Sequence, residues 1–218
     1  MRIGTVLGFV ALMLSLPGAA QVHRELLLKP DSPEFTKAAP AVSTVRLETS
    51  KGNIDIEVTR AWSPLGADRF INLIRLGFFE EARFFRITPG RWAQFGIPAD
   101  PAIAQAWRPR ALADDPFKQS NVRGTVAFAF SGKPNTRTTQ VFINLRDNSE
   151  THDKEPFTPF GRVVAGMDIA DTLNDEYAEG PGGIRAGKQD EFFEGGNTWL
   201  LKQFPRLDYI RHATVTTR

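Results

Sequence analysis

Short stretches that alternate apolar and polar residues, each ended by glycine or proline, recur along most of this chain, while helical periodicity shows in only two places. Val45-Arg46-Leu47-Glu48-Thr49 and Ile54-Asp55-Ile56-Glu57-Val58 flank Lys51-Gly52-Asn53, the pattern of a β-hairpin. Ser63 then stands where an N-cap belongs and Pro64 at the first helical position. Leu65, Phe70, Leu73 and Ile74 follow at helical spacing, with a stop at Gly77. Further strands are expected at 82–87, 92–96, 124–130, 141–145 and 160–164, a second helix at 167–173, and a closing strand around Ala213-Thr214-Val215. Many short strands with only two helices predict a closed antiparallel barrel and not alternating βαβ units.

Composition narrows the chemistry. The chain has no cysteine and three histidines, His23, His152 and His212, which excludes thiol catalysis and disulfides and argues against a histidine-rich metal site. Its 27 Lys+Arg against 25 Asp+Glu leave a net charge of +2, so nothing suggests a nucleic-acid partner.

Arg2, an apolar run at 3–16 and the small residues of Pro17-Gly18-Ala19-Ala20 read as an export signal cleaved after Ala20. The run is shorter than the roughly 20 residues that span a bilayer, so no stable membrane insertion is expected after cleavage, and the mature protein is expected to be periplasmic or secreted. Residues 21–41 are polar, with Pro30, Pro33 and Pro40, and read as a flexible or loosely docked leader. One domain is expected over 42–218, interrupted at about 174–196 by a glycine-rich surface loop that includes Gly180-Pro181-Gly182-Gly183. Asp114-Asp115 and Asp190-Glu191 read as solvated loop charges, and no metal or other cofactor is expected.

Two segments stand out for function. Phe84-Phe85-Arg86-Ile87-Thr88-Pro89-Gly90 runs on to Gln94, and some fifty residues later comes Gln140-Val141-Phe142-Ile143-Asn144. An arginine on an aromatic-rich strand, a glutamine beyond a Pro-Gly turn and a later phenylalanine suit an apolar groove around one fixed cation. Such a groove would bind a peptide bond without cutting it.

The first of these segments resembles the core motif of the cyclophilins, peptidyl-prolyl cis-trans isomerases. Ala67-Asp68-Arg69-Phe70-Ile71-Asn72-Leu73, Gly124-Thr125-Val126-Ala127-Phe128-Ala129, Pro134-Asn135-Thr136 with Thr139-Gln140-Val141-Phe142-Ile143, and Phe157-Thr158-Pro159-Phe160-Gly161-Arg162-Val163 with Gly166-Met167 resemble further blocks of that family in order. The likeness covers about 42–173, while the stretch at 174–218 is atypical and resembles a bacterial branch of the family. It implies an eight-stranded closed antiparallel barrel with two capping helices, and isomerisation of X-Pro bonds in unfolded or partly folded proteins by a monomer. It assigns catalysis to Arg86, Gln94 and Phe142, and places Phe84, Trp92, Ala129, Gln140, His152 and Phe157 along the substrate groove.

Three departures from the family pattern stand out. Arg91 stands where a pocket phenylalanine is usual, Thr151 and His152 where the groove tryptophan and leucine are, and Phe157 in place of a groove histidine. A non-catalytic module that holds a proline segment in the same groove is therefore the competing reading. His152 beside Asp153 is not expected to act as an acid-base pair, since neighbours on a loop seldom point at one another.

Overall fold

The computed structural model describes residues 18–177, 184 and 189–217. Eight strands, β1 (Val42–Thr49), β2 (Asn53–Thr59), β3 (Arg86–Thr88), β4 (Trp92–Phe95), β5 (Thr125–Phe128), β6 (Val141–Asn144), β7 (Pro159–Ala165) and β8 (Ile210–Thr217), form one sheet in the order β3-β4-β6-β5-β7-β2-β1-β8. Every pairing is antiparallel. The two ends of that order meet just outside β3 and β8, where Phe84 N donates to Asp208 O (2.9 Å) and Ile210 N to Ala82 O (3.0 Å). These bonds join the sheet's edges and curl it into the expected barrel.

Alternation explains what fills the interior. In β1 and β2, Val45, Leu47, Ile54, Ile56 and Val58 are fully buried and their polar neighbours face outward. Helix α2 (Pro64–Arg75) lays Phe70, Ile71 and Ile74 over the same core, where Phe70 packs against Phe79 and Phe160. Ser63 is its N-cap, yet its hydroxyl does not cap the helix. It donates to Asp115 Oδ2 (2.5 Å), and Asp115 accepts from the N–H groups of Leu65 and Gly66 instead. Asp115 is 7% exposed and Asp114 pairs with the buried Arg137 at 3.0 Å, so neither is the solvated loop charge expected from the sequence. A helix N-terminus with orphan donors attracts a carboxylate from elsewhere in the chain.

The leader also differs from its expectation. The part of the expected signal at 1–17 lies outside the described residues. Helix α1 (Ala19–Leu27) and a 3-10 turn at Pro33–Thr36 then dock on the barrel. Leu27, Phe35 and Ala39 are buried, Phe35 meets Trp107 edge-on at 4.6 Å, and Trp107 Nε1 donates to Leu27 O (2.8 Å). Asn72 holds the following backbone through Lys37 O (2.7 Å). Three prolines and a polar average hid three buried anchors.

The sequence reading had two helices; the structure adds α1, α3 (Pro101–Trp107), the single turn α4 (Ser149–His152) and α6 (Asp190–Gln203) to α2 and α5 (Met167–Asp171). Helix α3 starts from Asp100, whose side chain accepts from Ala102 N (2.8 Å), with Pro101 in the first turn. Helix α6 occupies part of the expected 174–196 loop, of which 178–183 and 185–188 lie outside the described residues. Its backbone breaks at Gly196 (φ 54, ψ −152), where Asn197 N bonds Ala99 O (3.1 Å) and ties the helix to α3. Phe85, Ile97, Ala104, Ile184, Phe192, Phe193, Leu200 and Leu207 form a second core between α3, α6 and the outside of the barrel.

One glycine sets a close approach on which the functional face depends. Gly96 follows β4 with φ +111, and a Cβ there would lie 2.8 Å from Gln140 Cα and nearer still to Thr139 O. Replacing Gly96 with alanine should cost about 2–4 kcal/mol through the positive φ and overpacking together. Thermal unfolding should show this as a Tm roughly 5–15 °C lower.

Candidate active site

Arg86, Gln94, Phe142 and Ala127 form a single cross-strand row. The register pairs Arg86 with Gln94, Gln94 with Phe142 and Phe142 with Ala127 across β3, β4, β6 and β5. The neighbours Ile87, Ala93, Val141, Ile143 and Val126 all point into the barrel core, so strand alternation turns the row outward. Both faces of β5 and β6 are nonetheless buried, because loops cover the outer one. That covered outer face is the groove.

A cavity of about 440 Å³ lies along it. Of the nine residues expected at the site, Arg86, Gln94, Phe142, Trp92, Ala129, Gln140, His152 and Phe157 line this one cavity. Phe84 does not. It is fully buried in the barrel interior against Phe95, at 5.2 Å. The chain changes pairing partner between Phe84, which bonds Asp208, and Arg86, which pairs with Gln94, and the alternation slips there, so Phe84 and Arg86 face opposite ways.

The apolar end is an aromatic box. Phe142 is 3% exposed and meets Phe157 at 5.1 Å and His152 at 5.5 Å, both edge-on; Trp92 lies 5.4 Å from His152 and Phe130 4.8 Å from Phe157. Such ring pairs favour edge-to-face geometry and build a rigid apolar wall. Arg91 is absent from the lining. It turns back over the Trp92 ring at 4.9 Å, leaving Trp92 to supply the wall. Thr151 is exposed and donates to Asn148 O (3.1 Å), so of the adjacent pair only His152 enters the box.

His152 has no acid-base partner in Asp153. That carboxylate accepts from Ser120 and from Asn121 N (2.8 Å) and Nδ2 (2.9 Å). Burial works to raise the Asp153 pKa, but these hydrogen bonds outweigh it and hold the group below its ordinary value. Burial, with Arg91 assisting, pushes the His152 imidazole below its usual range and favours its neutral form.

The polar end is ordered by hydrogen bonds. Arg86 Nη1 donates to Gln94 Oε1 (2.9 Å), Gln94 Nε2 to Gln140 Oε1 (2.7 Å) and Gln140 Nε2 to Gln189 Oε1 (2.9 Å). The Arg86 guanidinium also lies 5.4 Å from the Trp92 ring. Gln189, Phe193 and Arg108 line this end, and sequence reasoning missed all three. Arg108 ends α3, and Gln189 and Phe193 lie at the start of α6, within the 174–196 stretch that reads as loop in the sequence. The apolar pairs Phe192-Phe193 and Leu200-Leu201, eight residues apart, were the signal that a helix was there.

Arg86 fixed beside an aromatic box, with no nucleophile-base pair among the described residues lining the cavity, suits a reaction that bends a bound peptide without breaking it. The model of the cyclophilin type peptidyl-prolyl cis-trans isomerase/CLD family matches residues 44–189. Peptidyl-prolyl cis-trans isomerase A of Dickeya dadantii is 31% identical over 166 residues, covering 75% of this chain and 86% of the relative. A peptidyl-prolyl cis-trans isomerase of Acinetobacter baylyi is 30% identical over 144 residues, 62% of this chain and 73% of that protein. The crystal structure of a Cryptosporidium parvum cyclophilin type isomerase superposes with a TM-score of 0.58 at 18% identity, covering 81% of this chain and 99% of that one. The chain belongs to the cyclophilin-type peptidyl-prolyl cis-trans isomerases, and its substrates are proline-containing peptides.

Proposed function

We propose that Arg86 drives isomerisation without covalent chemistry, by donating a guanidinium N–H to the prolyl nitrogen as the X-Pro bond twists. Rotation faces a barrier of about 18–20 kcal/mol because the amide is conjugated. Uncatalysed exchange takes roughly tens to hundreds of seconds. The nitrogen lone pair becomes an acceptor only when conjugation is broken, so this hydrogen bond is strongest at the transition state. Raising a rate from about 0.01 to about 1000 per second needs about 7 kcal/mol. A charged hydrogen bond in a partly dry groove, together with orientation of the peptide, supplies energies of that order.

The observation that carries this reading is the position of Arg86, held by Gln94 and Trp92 on the rim of a cavity walled by Phe142. Phe142, with Phe157 and His152, takes the proline ring; Gln94 and Gln140 hold substrate backbone; Ala129 leaves room for the chain to pass. With a short X-Pro peptide, Arg86→Ala should lower kcat/KM by about 10²–10³, the scale for losing one preorganised donor. Phe142→Ala should raise KM more than it lowers kcat. An Arg86→Ala variant with wild-type kcat/KM would overturn the mechanism.

A neutral His152 belongs to the same reading, because an apolar proline pocket tolerates imidazole better than imidazolium. The unfolded chain takes up this proton at about pH 6.5. The folded chain takes it up only at a lower pH, because burial depresses the pKa. Stability from this group is therefore complete above the unfolded value, falls as pH drops towards the folded value, and is constant below it. Urea unfolding at about pH 7.5 and about pH 5 should show a smaller acid loss for His152→Leu than for wild type. Equal losses would mean that the ring is solvated in the folded protein.

The same reading extends to location. Arg2, the run at 3–16 and Pro17-Gly18-Ala19-Ala20 support export with cleavage after Ala20, with unfolded or partly folded envelope proteins as clients of a monomeric enzyme. No helix among the described residues is long and apolar enough to cross a membrane. The expected chain, isolated from the envelope fraction of expressing cells, begins at Gln21 by N-terminal sequencing. A chain that still carries residues 1–20 would sink this.

A further inference from the structure

We infer that Gln189, on the C-terminal helix, is a positioning residue for Arg86, acting through a directional chain of glutamine amides. The inference rests on the role proposed above for Arg86. A guanidinium has donors and no acceptor, so Gln94 must turn its oxygen towards Arg86. Its NH₂ is then left facing Gln140, and Gln140 must present its own oxygen in turn. The Gln140 NH₂ is thereby aimed at Gln189 Oε1, 2.9 Å away. One cation thus fixes the orientation of two amides, and Gln189 supplies the acceptor that ends the run.

The surroundings make the chain matter. Gln94 is 4% exposed, so its bonds lie where water competes poorly and where successive hydrogen bonds polarise one another. Gln189 stands at the N-cap position of α6 but makes no capping bond with its side chain, which reaches across to Gln140 instead. Phe192, Phe193 and Leu200, all at or below 5% exposure, pin that helix in the second core. The far end of the chain is therefore anchored by packing. Without an acceptor at position 189, the Gln140 amide is held at one end only, its oxygen is a less steady acceptor for the Gln94 NH₂, and Arg86 is held less firmly on the line of the prolyl nitrogen. Small losses of alignment at a reacting group are costly in rate.

Gln189 also lines the cavity, so a direct contact with substrate is the alternative, and the two separate kinetically. In the full chain, Gln189→Met, which keeps length and loses the amide acceptor, should lower kcat about three- to tenfold, the scale of one net hydrogen bond. KM should stay within about twofold and thermal stability should match wild type. Gln189→Glu, which keeps an acceptor, should restore most of kcat. In an Arg86→Ala background, Gln189→Met should cost nothing further, because the residue acts through Arg86. A wild-type kcat for Gln189→Met, an effect confined to KM, a Glu variant as impaired as Met, or an equal further loss without Arg86 would each overturn the inference. Failure of Arg86→Ala to slow the reaction would instead remove the reading on which it rests. A slow Arg86→Ala beside a fully active Gln189→Met removes only the relay.

Discussion

Antiparallel register across β3, β4, β6 and β5 is the constraint on which the rest depends. Arg86, Gln94 and Phe142 come from three separate strands, and no local rule of sequence brings them together. The hydrogen-bond ladder does, by making each the direct partner of the next. A slip of one residue in β4 would send Trp92 and Gln94 into the barrel and Ala93 and Phe95 out to the groove. The interior aromatic packing of Phe84, Phe79 and Phe95 opposes such a slip, so the core that stabilises the barrel also holds the site in line.

The second core adds a level of control that the barrel alone lacks. Helices α3 and α6 pack on the outside of the sheet through Phe85, the neighbour of Arg86 in the chain. Arg108 lies over Phe193 at 4.5 Å and pairs with Asp190, closing the same end of the cavity. An exposed ion pair of this kind contributes little to stability.

Much of the barrel was legible in the sequence because alternation and turn residues are local signals. The hairpin at Lys51-Gly52-Asn53, helix α2 behind Pro64 and the strands around Trp92, Val126 and Ile143 all announced themselves in this way. Phe84 was misplaced because a change of strand partner at its neighbour is a tertiary event, invisible to period counting. Residues 21–41 looked like a leader because Leu27, Phe35 and Ala39 are spread too widely to make a periodic face, yet each meets a prepared hole. Helix α6 was hidden by Gly195-Gly196, the second of which breaks its backbone at the point where it seats on Ala99. Gln189 carried no signal at all, since an amide at a helix start has meaning only once Gln140 stands opposite.

The pairing of β1 with β8 has a consequence for how the molecule comes to exist. Val45 lies opposite Val215, so a strand near one end of the domain waits for almost the whole remaining chain before its neighbour arrives. Contacts this distant in sequence demand loop closure before they return any stabilisation, and they slow folding. Until then Val45 and Leu47, fully buried in the finished barrel, have a β2 hairpin on one side and an unpaired edge on the other. A catalyst of slow X-Pro isomerisation is thus itself assembled through long-range closure, with an open edge that invites the wrong partner until its last strand is in place.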